Sequence, residues 1–258
     1  MKRTKITPDL SLFPEAMHPF FAGAEVYDSS SSPEARVYFI DKDGGYYLKT
    51  APAGALSREA ELTGYFHSKK LAPEVLAYIS AERDFMLTER VRGEDMTHRQ
   101  YLSEPKKLCD LSASLLRELH ETDFSTCPVQ NHTARYLETA KKNRKKGEYD
   151  LSFAHDFKTA DEAYAYLTSN SHLLKNEVLL HGDYCLPNVM LEDWRFSGFI
   201  DVGNGGVGDR HIDLFWGAWT LLFNLGTDAY RERFLDAYGR DKAEEEKLRL
   251  IAAAEIFG

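Results

Sequence analysis

Two short apolar runs, each followed at once by an aspartate-bearing loop, constrain this chain more than any other feature. Residues 178–180 precede a His-Gly-Asp loop that contains Asp183, and residues 198–200 precede Asp201. Short apolar runs bounded by glycine-containing loops are typical of buried strands. Asn188 follows Asp183 by five residues, enough chain for a short loop to turn back. The pattern predicts two strands that bring Asp183, Asn188 and Asp201 towards one cleft.

These three side chains are of the kinds that phosphoryl transfer requires. Its transition state is loose, so the protein mainly positions the reactants, neutralises charge and holds a metal with hard oxygen ligands. Asp183 is suited to accept or orient the proton of an acceptor hydroxyl, and Asn188 and Asp201 can share one Mg²⁺. A lone His-Gly-Asp is common in turns, whereas the complete order is far more specific. The sequence therefore predicts a kinase of small molecules.

Other polar residues near this stretch are better explained by structure. We expect His181 to hold loop backbone through its ring nitrogens, and Asp209 and Asp213 to cap or bond loop backbone. A metal site made by Cys185, His181 and His211 is rejected, because the spacing of these residues matches no metal-binding pattern.

The ordered motifs H-G-D-Y-C-L-P-N and F-I-D-V-G resemble those of the aminoglycoside phosphotransferases, within the protein-kinase-like superfamily. The similarity is greatest to the 3′-phosphotransferases of kanamycin and neomycin resistance, and it runs nearly the whole length. It implies that Asp183 is catalytic and that Asn188 and Asp201 bind the metal. It also implies an α+β, bilobal protein-kinase-like fold. A small β-rich N-lobe would cover residues 1–91, with a hinge near 88–94, and a larger, mainly helical C-lobe would cover residues 92–258.

The first third of the chain has the pattern of a nucleotide-binding lobe. Residues 36–40 and 46–49 are β-rich runs joined by a glycine-containing hairpin signal. A helix follows, for which Ser57 is a plausible N-cap. The resemblance implies that Lys49 contacts the α- and β-phosphates of ATP or GTP and that Glu59 fixes Lys49, with Glu61 as the competing partner.

Two further nucleotide contacts are expected. A serine-rich stretch at 29–33 stands where kinases usually carry a glycine-rich loop, and Ser32 is our candidate there for phosphate binding. The end of the run at residues 84–91, together with the connector that follows it, resembles a kinase hinge. Thr88 and Arg90 would offer backbone groups to the adenine.

A polycationic acceptor requires carboxylates around its hydroxyl. The resemblance implies that Glu255 and the terminal carboxylate face the sugar rings, beside Asp183. A group of acidic residues in the expected substrate-binding insert supplies further candidates, namely Glu148, Asp150, Asp156 and Asp161. The chain departs from the family at Asn204, where an arginine is common, and we expect the loss of this cation to alter the pose of the substrate.

Composition narrows the class of protein. The net charge of −9, from 41 acidic and 32 basic side chains, opposes a nucleic-acid surface and suits a polycationic ligand. The longest apolar run, Leu214–Leu225, is too short for a membrane span, and we expect a core helix of the larger lobe there. The chain shows no export signal, and three widely spaced cysteines suggest reduced thiols in the cytoplasm. We expect no nucleic-acid or membrane partner.

The sequence thus predicts transfer of the γ-phosphoryl group of ATP or GTP, with Mg²⁺, to an aminoglycoside hydroxyl, with the 3′-hydroxyl as the expected acceptor. This activity would give antibiotic resistance. Two alternatives stay open. One is a kinase of the same superfamily acting on choline, a macrolide or a sugar-like metabolite, and the other is a catalytically silent nucleotide-binding protein.

Overall fold

The computed structural model describes residues 3–31, 35–153 and 156–258. Its strands are β1 (Thr4–Ile6), β2 (Glu25–Asp28), β3 (Arg36–Asp41), β4 (Tyr46–Pro52), β5 (Val75–Ser80), β6 (Arg83–Glu89), β7 (Glu94–Asp95), β8 (Val178–Leu180), β9 (Val189–Glu192), β10 (Arg195–Phe199) and β11 (Gly206–Gly208). Its α-helices are α1 (His18–Phe21), α2 (Ser57–Ser68), α3 (Arg99–Leu102), α4 (Pro105–His120), α5 (His132–Lys146), α6 (Ala160–Asn170), α7 (His211–Leu225), α8 (Arg231–Gly239) and α9 (Glu245–Glu255). The protein is therefore α+β, as predicted.

The chain forms two compact units. The first contains residues 1–93 together with 190–203, and the second contains residues 94–189 together with 204–258. The segment that carries β10 and Asp201 thus belongs to the same unit as the N-terminal strands, although about a hundred residues separate them in the chain.

A six-stranded antiparallel sheet is the main element of the first unit, with strand order β1-β2-β3-β4-β6-β5. The predicted hairpin is confirmed, since β3 pairs with β4 in a register that places Val37 opposite Lys49. Side chains alternate between the faces of a strand. Leu48 therefore packs into a core with Phe13 and Met17, whereas Lys49 points to the other face of the sheet.

Helix α2 begins at Ser57, but Ser57 is not its N-cap. The N-cap is Leu56, and no side chain caps the helix there. Asp84, a buried residue of β6, instead accepts hydrogen bonds from the backbone N–H groups of Gly54 and Leu56, at 2.9 and 2.8 Å. A carboxylate from a distant strand fixes the entry into α2, so a local capping rule gave the wrong residue.

The second unit is mainly helical. Leucines recur every three or four residues along α4, which buries Leu108, Leu115 and Leu119. One core cluster joins α5, α6 and α9 around Phe157, Leu167 and other apolar side chains. Strands β8 and β11 form a short antiparallel pair.

Helix α7 contains the predicted core run, but only one of its faces is buried. Leu214 and Leu221 are fully buried, whereas Leu222 is 39% exposed and Phe223 is 70% exposed. The prediction of a core helix is therefore right for one face only. In the described part of the chain, no helix is both long enough and apolar enough to cross a membrane.

Candidate active site

Lys49, Glu59 and Asp201 come together in the first unit. The Lys49 ammonium donates to both carboxylate oxygens of Glu59, each at 2.8 Å, and to Oδ1 of Asp201 at 3.0 Å. Lys49 reaches this position from the middle of β4, and Glu59 lies in the first turn of α2. The structure thus places Glu59 against the lysine, whereas Glu61 is exposed on the surface of α2. An ammonium held on two sides has little freedom left to lose when it binds a phosphate.

Burial and charge act in opposite directions in this cluster. Burial alone would lower the pKa of Lys49, but the carboxylates of Asp201 and Glu59 outweigh it and hold that pKa above its usual value. Burial is also the main reason why the pKa of Glu59 is raised; Asp201 adds to this effect and Lys49 opposes it. The Asp201 side chain is 53% exposed, so its carboxylate is accessible to a ligand.

The backbone of this segment has an unusual conformation at Asp201. Asp201 has φ +56°, in the left-handed region that aspartate tolerates better than most residues, whereas Gly203 has no positive φ. Gly203 is needed for a different reason. A Cβ there would lie 3.0 Å from the Glu59 Cβ, tighter than ordinary packing. The missing side chain lets the turn after Asp201 approach Glu59 closely.

The structure gives less support for the other residues that were predicted to contact the nucleotide. Thr88 is buried in β6, opposite Tyr47 of β4. The Arg90 N–H already donates to the Gly45 carbonyl at 3.0 Å, so any backbone contribution of Arg90 to adenine binding falls to its carbonyl oxygen. Ser32 lies outside the described residues.

In the second unit, β8 leads directly into the loop that carries Asp183. Gly182 has φ +82°, and a Cβ at this position would lie 1.9 Å from the Asn204 carbonyl oxygen. Only glycine fits both constraints. The sharp turn places Asp183 next to the buried strand and leaves it partly exposed.

A buried carboxylate holds this turn. Asp213, which is fully buried, accepts hydrogen bonds from the N–H groups of His181 (2.7 Å) and Gly182 (2.8 Å), and from His120 Nε2 at 3.2 Å. His120 Nδ1 in turn lies 2.8 Å from the Tyr238 hydroxyl. Burial lowers the pKa of His120, which favours the neutral ring.

The expectations for the neighbouring polar residues agree with these contacts. Asp209 accepts hydrogen bonds from the backbone N–H groups of Lys175 (2.8 Å) and His211 (3.0 Å). Asp213 bonds backbone in the same way, in the loop that carries Asp183. His181 is fully buried, and its Nδ1 lies 3.3 Å from the Asp183 N–H. These residues therefore bond loop backbone, as expected.

Asn188 fixes the orientation of Asp183. The Asn188 amide nitrogen donates to the Asp183 backbone carbonyl at 3.0 Å and to its Oδ2 at 2.9 Å. With Nδ2 used in this way, Oδ1 is the atom of Asn188 that can ligate a cation. Carboxylate and amide oxygens are the ligands that Mg²⁺ prefers, so the donor set of Asn188 and Asp201 fits that ion. Because these two residues belong to different compact units, their common metal site stays a prediction.

Glu255 lies at the end of α9 and is only 7% exposed. Its Oε1 accepts hydrogen bonds from the Tyr136 hydroxyl at 2.7 Å and from Trp216 Nε1 at 3.0 Å. Burial raises the pKa of Glu255 to about 7; the two hydrogen bonds oppose this effect, and the charge of Asp183 adds to it. The charge of Asp183 therefore acts electrostatically on Glu255. No pattern in the sequence indicated Tyr136 or Trp216, because both lie far from Glu255 in the chain.

The acidic residues of the expected insert have local partners. Glu148 pairs with Lys146 at 3.2 Å, Asp161 pairs with Arg144, and Asp150 accepts from the Ser152 N–H at 2.8 Å. Asp156 has the loosest contact, 3.9 Å from Arg249. Among the four, Asp156 is therefore the most available for a cationic ligand.

Comparisons with known proteins agree with this arrangement. A model described as the phosphotransferase enzyme family matches residues 29–251. The chain belongs to this family. It is 51% identical, over 253 residues and 97% of each chain, to a probable aminoglycoside 3′-phosphotransferase of Lactococcus lactis subsp. lactis (strain IL1403). It is 32% identical over 226 residues to an aminoglycoside 3′-phosphotransferase of Niallia circulans, which covers 82% of this chain and 83% of the relative.

The fold is similar to that of solved members. A crystal structure of an aminoglycoside 3′-phosphotransferase of type VIII superposes with a TM-score of 0.77 and 26% identity, and the match covers 94% of this chain and 97% of the other. The predicted resemblance to the aminoglycoside phosphotransferases and the predicted kinase-like fold are both confirmed.

Proposed function

We propose that this phosphotransferase transfers the γ-phosphoryl group of a nucleoside triphosphate to a hydroxyl of an aminoglycoside antibiotic, with the 3′-hydroxyl as acceptor. The names of the relatives from Lactococcus lactis and Niallia circulans support the substrate class. The observation that carries the chemistry is the contact between Asn188 and Asp183, which holds one carboxylate oxygen at 2.9 Å and leaves the other for an acceptor hydroxyl. Modification of the antibiotic would give resistance to it.

The first unit supplies the groups that bind the nucleotide. Lys49 contacts the α- and β-phosphates, and Glu59 keeps its ammonium directed towards them through the paired 2.8 Å contacts. Backbone groups at Thr88 and Arg90 are assigned to the adenine or guanine ring, and Ser32 to the phosphates. ATP is the donor that we expect, with GTP as the alternative.

Asn188, through Oδ1, and the exposed carboxylate of Asp201 would hold Mg²⁺. When bound, the ion neutralises charge on the phosphate oxygens during transfer. Asp201 is already oriented by its 3.0 Å contact with Lys49, and Asn188 by its two contacts with Asp183. The side chains of both proposed metal ligands are therefore oriented by the protein before the metal binds.

Asp183 acts on the acceptor. Its free carboxylate oxygen accepts the hydroxyl proton as the acceptor oxygen bonds to the γ-phosphorus and the bond to the β-phosphate oxygen breaks. The ionised form of Glu255, which the charge of Asp183 disfavours, attracts the ammonium groups of the acceptor. A cation between the two carboxylates relieves their repulsion, which favours a polycationic substrate.

The requirement for a nucleoside triphosphate places this activity in the cytoplasm. The cysteines agree with a reducing compartment, since Cys109, Cys127 and Cys185 are not joined in disulfides.

The test is mass-spectrometric detection of phosphorylated kanamycin after incubation with ATP and Mg²⁺, followed by NMR location of the phosphate. Asp183→Asn should lower kcat by about three orders of magnitude while nucleotide binding survives. Asp193→Asn is the matched control, because Asp193 lies exposed in the turn between β9 and β10. Unchanged turnover in Asp183→Asn would remove Asp183 from its role, and the absence of any phosphorylated product from the wild-type protein would refute the function itself.

A further inference from the structure

Asp84 is a carboxylate on β6 to which the proposed reaction gives no role. It is fully buried and accepts four hydrogen bonds, two at each oxygen. Its Oδ1 accepts from the Gly54 N–H at 2.9 Å and from the Ser80 hydroxyl at 2.6 Å. Its Oδ2 accepts from the Leu56 N–H at 2.8 Å and from the Tyr78 hydroxyl at 3.0 Å. Burial alone would raise the pKa of Asp84, but these hydrogen bonds outweigh it and lower that pKa, so the group is ionised.

The four donors come from two places in the fold. The Tyr78 and Ser80 hydroxyls belong to β5, which already pairs with β6 in the sheet. The Gly54 and Leu56 N–H groups belong to the segment that enters α2, and the first N–H groups of a helix have no partner within it. Among the residues that the structure describes, no side chain caps α2 at Leu56. Asp84 therefore anchors the start of this helix from a distant strand.

Asp84 lies on the same face of the sheet as Lys49. The register of β4 and β6 places Ala51 opposite Asp84 and Lys49 opposite Met86. Paired residues share a face of a sheet, and so do residues two apart in one strand. Ala51, Met86 and Leu56 form one buried cluster, which packs the start of α2 against both strands. Asp84 thus ties α2 to the pair of strands from which Lys49 projects.

Glu59 lies close to this anchored point. It is three residues beyond Leu56, in the first turn of α2, or about 4.5 Å along the helix axis. The Ala60 N–H closes that turn on the Leu56 carbonyl at 2.8 Å. A displacement of Leu56 therefore displaces Glu59 as well. Both oxygens of Glu59 accept from the Lys49 ammonium at 2.8 Å, and a contact at two points tolerates little displacement.

We propose that Asp84 is a positioning residue for nucleotide binding, which fixes the start of α2 on the sheet and thereby holds Glu59 against Lys49. Without the Asp84 carboxylate, the first turn of α2 shifts, and Lys49 keeps its contact with Asp201 but loses the paired contact with Glu59. The inference rests on the proposed function, because that function assigns Lys49 to the phosphates. It adds a residue that acts on the nucleotide although it is fully buried and does not touch it.

The first measurement needs no nucleotide. It is the rate at which acetic anhydride acetylates Lys49, followed by mass spectrometry, with the exposed Lys145 of α5 as internal reference. Burial lowers the pKa of Lys49, and the carboxylates of Asp201 and Glu59 together outweigh burial, so loss of the Glu59 contact leaves more of the reactive neutral amine. Glu59→Gln should speed acetylation about threefold or more. Asp84→Asn should do the same, because in either orientation its NH₂ group faces a backbone N–H of the α2 entry.

A double variant tests whether Asp84 acts through Glu59. If it does, the two substitutions should not add, and Lys49 in Asp84→Asn/Glu59→Gln should be acetylated within about twofold of its rate in Glu59→Gln. Calorimetry with ATP and Mg²⁺ should follow the same pattern. Asp84→Asn should weaken nucleotide binding about three- to tenfold in the wild-type background, and less than twofold in the Glu59→Gln background. Binding of kanamycin should stay within about twofold throughout, because its proposed contacts belong to the other unit.

Tyr78→Phe is the matched control. It removes one hydrogen bond from the same carboxylate but leaves both bonds to the α2 entry, so Lys49 acetylation and nucleotide binding should stay within about twofold of the wild type. Wild-type acetylation of Lys49 in Asp84→Asn, an equal effect of Tyr78→Phe, or additive effects in the double variant would each overturn the proposal.

The design allows for a variant that does not fold and for a failure of the proposed function. Should circular dichroism show that Asp84→Asn is unfolded, Asp84→Ser replaces it under the same criteria, because serine brings no amide hydrogens against the backbone donors and its hydroxyl can accept from one of them. The absence of phosphorylated product from the wild-type protein would refute the proposed function. The acetylation rates would still decide whether Asp84 holds Glu59 against Lys49.

Discussion

Asp213→Asn is the substitution that most directly tests how the loop around Asp183 is held. The Asp213 carboxylate is fully buried, with Oδ1 accepting from the Gly182 N–H and Oδ2 accepting from the N–H of His181 and from His120. An asparagine has nearly the same shape but only one acceptor oxygen. In either orientation of its amide, an NH₂ group must face a backbone N–H donor.

The loss of stability can be worked from these contacts. If the amide oxygen takes the Oδ2 position, the Gly182 bond is lost outright, at about 1.5–3 kcal/mol for a bond to a charged acceptor. The two remaining bonds lose their charge assistance, about 0.5–1 kcal/mol each. Burial of a neutral amide costs less desolvation free energy than burial of a carboxylate, and this difference offsets part of the loss of stability. We expect the free energy of unfolding to fall by about 3 kcal/mol.

Activity should fall as well, because Gly182 directly precedes Asp183. A shift of the loop by about 1 Å is enough to lower kcat by roughly 10- to 100-fold. The assay is urea unfolding followed by circular dichroism, together with kcat for kanamycin. Asp209→Asn is the matched control: Asp209 is equally buried and bonds the backbone of Lys175 and His211, away from Asp183. It should destabilise to a similar degree with little change in kcat. A stability of Asp213→Asn within about 0.5 kcal/mol of the wild type, or an equal loss of kcat in both variants, would refute the reasoning.

Two further predictions concern a pKa and a close contact. The pKa of Glu255 is raised from 4.5 to about 7, so the folded state binds the proton more tightly and stability is lost as pH rises through this range. Glu255→Gln removes the titration, and its free energy of unfolding relative to the wild type should rise by about 3 kcal/mol between pH 5 and pH 8 in urea titrations; a flat difference would contradict the assignment. Gly203→Ala brings a Cβ within 3.0 Å of Glu59 and should destabilise by about 1–2 kcal/mol and weaken nucleotide binding in calorimetry. Gly64→Ala on α2 meets nothing within 4 Å and should instead stabilise by up to about 1 kcal/mol, so the same sign in both variants would contradict the packing argument.

Much of the fold could be predicted because the sequence patterns that indicate it span only a few residues. The hairpin of β3 and β4 and the helix α4 follow from alternation and from leucine spacing within a few residues. The cap of α2 could not be predicted in this way, since the group that holds its entry is Asp84, twenty-eight residues from Leu56. The exposed face of α7 was missed for a related reason, because hydrophobicity alone does not say which apolar side chains find a partner.

The residues of the candidate site also differ in whether a local sequence pattern predicts them. The motif around Asp183 is specified by short-range turn chemistry, and a supporting role for Asp213 was expected because it follows the segment that carries Asp201. The partners of Glu255 are different, because Tyr136 and Trp216 lie 119 and 39 residues away in the chain. Only the packing of α5, α7 and α9 brings these side chains to one carboxylate, and no local pattern records that packing.

Charge balance in the first unit indicates why the proposed nucleotide and the proposed metal should bind together. Lys49 carries one positive charge, and it is shared between the carboxylates of Glu59 and Asp201, so the cluster has a net charge of about −1. A triphosphate alone would add several negative charges and would compete with Asp201 for the same ammonium. If a divalent cation accompanies the triphosphate, Asp201 can exchange its 3.0 Å contact with Lys49 for the metal, and Lys49 is released to the phosphates while Glu59 still holds it. The high exposure of Asp201 and the low exposure of Glu59 suit this division, because the carboxylate that changes partner is the one that solvent and ligand can reach.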